Sequence, residues 1–438
     1  MLAAVRARVP PHELVQLTKA QRLTIRRVPR LLICSEQRIV RYRLALAATH
    51  GTATATFSYT AAGKAVYGAY LTDPLTFLTH LQQHSSFLVI GGDAGGGSCK
   101  IGVTYLTQSG KLDFAALLIV SGADKHSDLL QLTSPNLTPF SGLTAQSPAL
   151  TNIFLILQFL LCCFPSSTFL NGDWLFINAI SGYQTASASY PCSICIVFKD
   201  TLLTPSAPRR PSSELNSAFS KPNTPLFLID PSRIVPTPLH LFLGICNRII
   251  RHFYPLIFGA EAVAEAMASV KSVHSYSPGA AGVHDLNGVE LASWLRLDLC
   301  SSLLFSARTF ASQDVPLLSS WMRGLRDHLL HKSPWSPSQL SSFSSLVYDM
   351  QHYWQHVTDS PPFPKLHMFS HALSFAKQHG ALGLYSEAQI ECYHARFNSL
   401  YLHTHRNLGK GIAERYRRSL ADLAVEAIAT GAADSANS

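Results

Sequence analysis

The sequence around Asp93 places one carboxylate after an apolar run and before a cluster of glycines. The segment reads Ser86-Phe-Leu-Val-Ile-Gly-Gly-Asp93, and Gly95-Gly-Gly97 then leads into a second alternating run that contains Lys100. An apolar run of this length followed by glycines is typical of a strand that enters a turn. The pattern predicts a β-hairpin with Asp93 at its mouth, where a carboxylate can bind a divalent metal ion.

The glycines after Asp93 also fit simpler interpretations. Gly95–Gly97 is compatible with an ordinary hairpin turn beside a solvated aspartate. A phosphate-binding loop is disfavoured because the Gly-x4-Gly-Lys-Ser/Thr spacing is absent. Metal-dependent phosphoryl transfer would need further carboxylates, at the end of a second strand and on a helix that packs against the sheet.

Two later segments supply such carboxylates. The strand-like run Ser167-Thr-Phe-Leu-Asn-Gly-Asp173 ends in a second aspartate. A helical segment then begins at Ser386, a residue type that favours helix N-caps, and carries Glu387 and Glu391 one turn apart. Either glutamate can face a metal ion, or both can be first-turn acids that the helix dipole stabilises.

Pairs of cysteine and histidine with zinc-ligand spacing occur in the second half of the chain. Cys192 and Cys195 form a Cys-x2-Cys pair, and His367 and His371 lie one helical turn apart. Each pair alone has an ordinary explanation, as a chance or redox pair of cysteines or as two packed or capping histidines. Together they predict a closed structural zinc site that joins the cysteine loop to a later helix.

The composition is that of a globular protein with a basic balance. Apolar residues make up 47% of the 438 residues and charged residues 14%, and the formal net charge of +9 favours a polyanionic partner. Met1–Arg43 holds 10 of the 35 Lys and Arg residues and 2 acidic ones, which is typical of a phosphate-contacting arm, a targeting segment or a solvated surface. Nine cysteines, an odd number, indicate a reducing compartment.

The most apolar segment of the chain is Thr151–Phe164. It is 14 residues long and stops at Pro165, whereas a bilayer span needs about 20. The segment therefore predicts a buried helix, with a membrane-associated protein as the alternative.

The order of elements predicts a mixed α/β fold. Phe87–Ile90, Lys100–Leu106 and Phe114–Val120 are strand-like runs with short turns between them, which is typical of an antiparallel meander that opens an RNase H-like fold. Residues 239–358 show helical periodicity with little strand signal. The predicted domains are a basic arm (1–50), the first part of the core (51–203), a Pro/Ser-rich linker or exposed loop (204–238), a helical insertion (239–360) and the last part of the core with basic helices (361–438).

The ordered set of these features resembles the catalytic core of Transib-type DDE transposases and of the recombination-activating catalytic subunit of V(D)J recombination. The resemblance covers about residues 85–425 and depends on order and spacing more than on identity. Its motifs are Asp93, Asp173, the Cys-x2-Cys pair, Pro238-Leu-His-Leu-Phe-Leu-Gly244, the histidine pair and Gly380-Ala-Leu-Gly-Leu-Tyr-Ser-Glu-Ala-Gln-Ile-Glu391. The family has one more residue between its two histidines, and its terminal-repeat-binding domain has no recognisable counterpart at the amino end of this sequence.

The resemblance implies a two-metal site and a zinc site. Asp93, Asp173 and Glu391 would hold two Mg²⁺ or Mn²⁺ ions, with Glu391 preferred over Glu387 because of its interval from the histidines. Zinc would be bound by Cys192, Cys195, His367 and His371. Candidate contacts to a DNA backbone are Lys100, Arg396, Arg406 and Lys410. His394, one turn after Glu391, would be either a satisfied helix histidine or a contact to the scissile phosphate.

These observations predict an α/β protein with an RNase H-like (DDE) core, interrupted by an all-helical insertion and stapled by a Cys2His2 zinc site. The expected function is that of a DDE transposase or transposase-derived nuclease that cuts and joins DNA. The alternative is a domesticated, catalytically inactive relative that binds zinc and DNA. DNA and a second copy of the chain are the expected partners in the nucleus, without a small-molecule substrate or a membrane.

Overall fold

Six strands of the chain form one mixed sheet in the computed structural model. They are β3 (Thr54–Ala61), β4 (Lys64–Leu71), β5 (Leu88–Gly95), β6 (Ser98–Leu106), β7 (Leu112–Ser121) and β8 (Thr168–Gly172). Their order across the sheet is β3-β4-β7-β6-β5-β8. All neighbours are antiparallel except β5 and β8, which are parallel and pair Gly92 with Gly172. Two short strands, β1 (Ala7–Val9) and β2 (Leu31–Ile33), pair in parallel outside this sheet.

The structure describes most of the chain with several gaps. The described residues are 7–9, 31–33, 45, 49–61, 64–83, 85–95, 98–107, 109–121, 153, 155–161, 164, 167–183, 187–203, 207–210, 229–273, 285–297, 314–356, 361–404 and 411–433. Within these ranges, none of the helices combines the length and the apolar character that crossing a bilayer requires.

The helices are bounded by ordinary capping and proline signals. They are α1 (Pro74–Gln82), α2 (Trp174–Ser181), α3 (Pro238–Arg248), α4 (Tyr254–Phe258), α5 (Ala260–Val273), α6 (Gly288–Arg296), α7 (Asp314–Leu329), α8 (Pro337–His356), α9 (Pro364–His379), α10 (Ala388–Ser399) and α11 (Ile412–Ala433). Proline opens α9, where its missing N–H costs no hydrogen bond, and Gly380 ends it in the left-handed conformation. Residues 155–161 are also helical.

The chain folds as two compact units. Unit 1 comprises residues 1–184, 212–233 and 387–438, and unit 2 comprises residues 185–211 and 234–386. Unit 1 contains the six-stranded sheet together with α1, α2, α10 and α11. Unit 2 contains α3 to α9, and all its described elements between residues 239 and 360 are helical, as the sequence predicts.

The sheet of unit 1 is buried on both faces in its centre. Residues 98–105 of β6 and residues 114–120 of β7 are all buried, including Ile101 and Val103 on β6 and Leu117 and Ile119 on β7. Near-continuous apolar strands are typical of a sheet with helices on both faces. The predicted meander is therefore confirmed as β5-β6-β7.

Several local predictions need correction. Asp93 does not end its strand, because β5 continues to Gly95 and pairs Asp93 with Lys100 of β6. The apolar helix buries only one face, since Leu157 is buried while Phe159 is 55% exposed. Residues 361–386 group with unit 2. Most of the predicted arm, 1–50, lies outside the described residues.

Arg396 joins α10 to the sheet and to α11 through two ion pairs. Its guanidinium lies 2.6 Å from Asp113 of β7 and 3.2 Å from Glu426 of α11. Burial lowers the pKa of Arg396, but the charges of Asp113 and Glu426 and the hydrogen bond to Asp113 outweigh this and leave the pKa raised. The contact fixes the helix that carries Glu391. The role of Arg396 as a DNA contact stays a prediction, since 34% of its side chain remains exposed.

Replacing Arg396 by Gln is expected to destabilise unit 1 by about 2 kcal/mol, because two half-buried carboxylates then lose their cation. Urea unfolding of the full-length protein measures the loss. The control is Lys111→Gln, which removes a cation from an exposed position of the same unit and should change stability by less than about 0.5 kcal/mol. Additive effects of Arg396→Gln and Asp113→Asn in a double-mutant cycle would contradict this account.

Candidate functional site: a carboxylate cluster and a Cys2His2 cluster

Two glycines just before Asp93 allow helices to approach both faces of β5. A Cβ atom at Gly91 would lie 2.8 Å from Cδ1 of Ile390 on α10, and one at Gly92 would overlap the ring of Phe176 on α2. Successive residues of a strand point to opposite faces, so Asp93 faces the same side as Gly91. The backbone pattern thus directs Asp93 towards α10.

Asp93, Glu391 and His394 form a cluster in unit 1. One ligand-type atom from each lies within 4.8 Å of the others. Nδ1 of His394 is 3.6 Å from Oε2 of Glu391 and 3.9 Å from Oδ2 of Asp93. Asp93 and His394 are buried, whereas 44% of the Glu391 side chain is exposed, so the cluster opens to solvent on the Glu391 side.

The other two candidate carboxylates do not join this cluster. Asp173 follows β8 and caps α2, with Oδ1 accepting a 2.5 Å hydrogen bond from the backbone N–H of Phe176. The register of β5 and β8 pairs Gly92 with Gly172, so Asp93 and Asp173 are the residues that follow the last registered pair of these two neighbouring strands. Glu387 is buried at the N-cap of α10 and does not belong to the cluster, which contains Glu391.

Lys100 is buried in the same region and does not present its amine to solvent. Its Nζ donates a 2.9 Å hydrogen bond to Oγ of Ser98 and lies 4.9 Å from the ring centre of Phe397. Burial lowers the pKa of Lys100 to about 8, while nearby charges, including Asp93 and Glu391, act to raise it. A buried position does not fit the predicted DNA contact. The other two candidates, Arg406 and Lys410, lie outside the described residues.

Cys192, Cys195, His367 and His371 come together in unit 2 and can hold a metal ion. Sγ of Cys195 is 3.1 Å from Nε2 of His367, Sγ of Cys192 is 3.4 Å from Nε2 of His371, and the two Nε2 atoms are 3.0 Å apart. A tetrahedral zinc ion with ordinary bond lengths needs sulfur–nitrogen separations of about 3.5 Å and a nitrogen–nitrogen separation of about 3.3 Å. The observed spacings are close to these values.

Groups around this cluster hold the ligands in the required states. Nδ1 of His367 is 2.7 Å from the carbonyl oxygen of Leu202, a contact that favours a proton on Nδ1 and leaves Nε2 for a metal. The backbone N–H groups of Ile194 and Cys195 donate to Sγ of Cys192. Such donors stabilise a thiolate, as a metal site requires.

Arg210 is buried and stabilises the cysteine loop through hydrogen bonds. It is 5% exposed, and its Nε and Nη2 donate to the carbonyl oxygens of Cys192 and Tyr190 at 2.7 Å and 3.0 Å. The predicted linker or exposed loop at 204–238 therefore includes a buried structural residue. Neither the role of Arg210 nor that of Leu202 could be read from the sequence, because each depends on tertiary contacts.

The pKa values of Cys192 and Cys195 are shifted in opposite directions. Burial raises the pKa of Cys192, but hydrogen bonding from Cys195 and the charge and hydrogen bonds of the two histidines lower it well below its usual range. The pKa of Cys195 is raised, first by its hydrogen bond to Cys192 and then by burial. The surroundings of Cys192 thus favour its thiolate form, which is the form that binds a metal.

The purified protein is expected to contain about one zinc ion per chain, because two thiolates and two imidazoles form a closed tetrahedral donor set. Cys192→Ser and His367→Gln should lose the metal and lower the melting temperature of unit 2, since zinc binding contributes directly to folding. Metal analysis and thermal unfolding measure both effects.

Two other cysteines provide controls for that experiment. Cys246 is buried in the same unit and Cys392 is exposed, and neither belongs to the cluster. Cys246→Ala and Cys392→Ser should retain the zinc. Full zinc occupancy in Cys192→Ser, or equal loss from all four variants, would contradict the assignment.

Comparisons with known proteins add no family to these observations. None of the protein-family models matches the chain, and no curated protein matches it significantly.

Proposed function

We propose that the protein is a DDE-type transposase or transposase-derived nuclease that cuts and joins DNA by two-metal-ion catalysis. The observation that carries the proposal is the meeting of Asp93, on a central strand, with Glu391, on a helix packed against that strand. Asp173 follows the neighbouring parallel strand, at the position equivalent to Asp93. The sequence resemblance implies this set of three acidic residues, of which one lies within a strand, one follows the neighbouring strand and one lies on a helix.

The topology of unit 1 supports an RNase H-like core. Strands β5, β6 and β7 form an antiparallel meander, and β8 adds to β5 in parallel, so the order is β7-β6-β5-β8. Strands β3 and β4 extend the sheet beyond β7. The helical segment between β8 and α10 agrees with an insertion between the second and third catalytic carboxylates.

The donor atoms of the carboxylate cluster fit a hard divalent cation. Carboxylate oxygens are the side-chain ligands that Mg²⁺ and Mn²⁺ prefer. Asp93 and Glu391 would hold the metals together with Asp173, whose Oδ1 already accepts a backbone hydrogen bond. Two bound ions would supply an attacking water of lowered pKa and would stabilise the leaving 3′ oxygen.

The surrounding structure would hold the two carboxylates in place for the substrate. Asp93 is held within a paired strand, and α10 is fixed by the ion pairs of Arg396, so neither carboxylate needs to reorganise. The partly exposed Glu391 leaves one side of the cluster open to a phosphodiester.

The proposed function includes a DNA partner, a structural zinc ion, two copies of the chain and a nuclear location. The net charge of +9 supports a DNA partner, which would bind with a salt-dependent affinity. The Cys2His2 cluster would hold a structural zinc ion. Action on chromosomal DNA implies a nuclear location, and cutting two DNA ends together implies two copies of the chain.

A second candidate function is DNA binding without cleavage. The position of Asp173 favours it, because this carboxylate caps α2 and is absent from the cluster formed by Asp93 and Glu391. A domesticated relative would retain the fold and its zinc site, while its carboxylates would stabilise the structure without taking part in catalysis.

The deciding experiment is cleavage of supercoiled plasmid by the full-length, zinc-loaded protein in Mg²⁺ or Mn²⁺. Asp93→Asn, Asp173→Asn and Glu391→Gln are each expected to reduce the nicking rate at least 100-fold, because each removes a charged metal ligand. Glu261→Gln is the control, an exposed glutamate of α5 that should leave the rate unchanged.

DNA binding by the same proteins separates the two candidates. If all variants bind DNA with the affinity of the original protein while only the three carboxylate variants stop cutting, the nuclease assignment holds. If the original protein binds but never cuts, the second candidate replaces it.

A further inference from the structure

His394 is the least expected member of the carboxylate cluster. It lies three residues after Glu391 on α10, so the two side chains share one helix face. The imidazole is 5% exposed and is enclosed within unit 1. A helix histidine at this position could instead have pointed to solvent, as many do.

The ring of His394 has no hydrogen bond of its own among the residues that the structure describes. Its Nε2 is buried without a partner, and its Nδ1 faces Glu391 and Asp93 at 3.6 Å and 3.9 Å. These distances exceed those of ordinary nitrogen–oxygen hydrogen bonds, which are about 2.7–3.2 Å. Burying a polar ring in this way is costly unless one nitrogen has another partner.

A small movement of the side chains would let Nδ1 and the two carboxylate oxygens share one ion. Around an octahedral ion with bonds of about 2.1 Å, adjacent donors are about 3 Å apart. The nitrogen–oxygen distances of 3.6 Å and 3.9 Å exceed this spacing by less than about 1 Å.

We infer that His394 is a direct ligand of the metal site, which therefore prefers a divalent transition-metal ion such as Mn²⁺ to Mg²⁺. The inference rests on the proposed metal site at Asp93 and Glu391 and specifies its metal. Imidazole nitrogen binds transition metals far better than Mg²⁺, which keeps oxygen ligands and water. A site of carboxylates alone would discriminate less between the two ions.

The alternative to ligation is an imidazolium ion that neutralises the two carboxylates. Both arrangements bury the ring beside Asp93 and Glu391, but they differ in where the proton is and in whether nitrogen touches the metal. Only a ligand transfers unpaired spin density from bound Mn²⁺ to its nitrogen. This difference makes the inference testable without measuring activity.

The test is pulsed electron paramagnetic resonance of Mn²⁺ bound to the full-length, zinc-loaded protein. The expected spectrum shows modulation from a coordinated ¹⁴N nucleus, which ¹⁵N-histidine labelling shifts. His394→Gln should abolish this modulation and weaken Mn²⁺ binding roughly tenfold or more, while Mg²⁺ binding changes less than about threefold. His80→Gln, a histidine of α1 in the same unit, is the control and should retain the signal.

The possible results distinguish the role of His394 from that of the carboxylate site. Mn²⁺ bound without nitrogen modulation, or with modulation that persists in His394→Gln, overturns the role of His394 and leaves the carboxylate site standing. Binding of Mn²⁺ that is unaffected by Asp93→Asn and Glu391→Gln overturns the inference and the proposed function together. If His394→Gln fails to fold, His394→Asn takes its place, and its nitrogen modulation is compared with that of the ¹⁵N-histidine-labelled original protein.

Discussion

The close packing of α10 on β5 is the constraint on which the carboxylate site depends. Gly91 keeps this contact close, because a Cβ atom there would lie 2.8 Å from Cδ1 of Ile390 and the end of the Ile390 side chain would have to shift. Asp93 follows two positions later on the same face, and Glu391 follows Ile390 on the helix. The ion pairs of Arg396 with Asp113 and Glu426 hold the helix in this position from its other end.

The second cluster follows a different physical principle. In unit 1, backbone packing positions charged groups before any ion arrives, and Glu391 remains partly exposed. In unit 2, the four ligands of the Cys2His2 cluster lie close together, with a hydrogen-bonded imidazole and with backbone N–H groups that donate to Sγ of Cys192. A closed donor set of this type is suited to structure, and an open carboxylate set is suited to chemistry. The two clusters therefore differ in the way that the proposed function requires.

Sequence patterns predicted the elements better than the environments of single residues. Apolar alternation identified β5, β6 and β7, and the Cys-x2-Cys and His-x3-His spacings identified four side chains that do meet. The predicted DNA contact of Lys100 does not fit its burial, because charge alone does not reveal that a side chain is buried near carboxylates. Glycines within an apolar strand do signal close backbone approach, so Gly91 and Gly92 could have indicated the packing helices. The approach of His394 to Asp93 depends on a contact between distant parts of the chain, which no local pattern encodes.

The central claim is that Asp93, Asp173 and Glu391 bind two metal ions. Anomalous X-ray scattering from crystals of the protein soaked in Mn²⁺ tests it most directly. The account predicts two manganese peaks about 4 Å apart, between the ends of β5 and β8 and the side chain of Glu391. The absence of a peak at Asp93 and Glu391 under saturating Mn²⁺ would contradict it. A single peak that Asp173 does not contact, also in crystals that contain a DNA end, would contradict it as well.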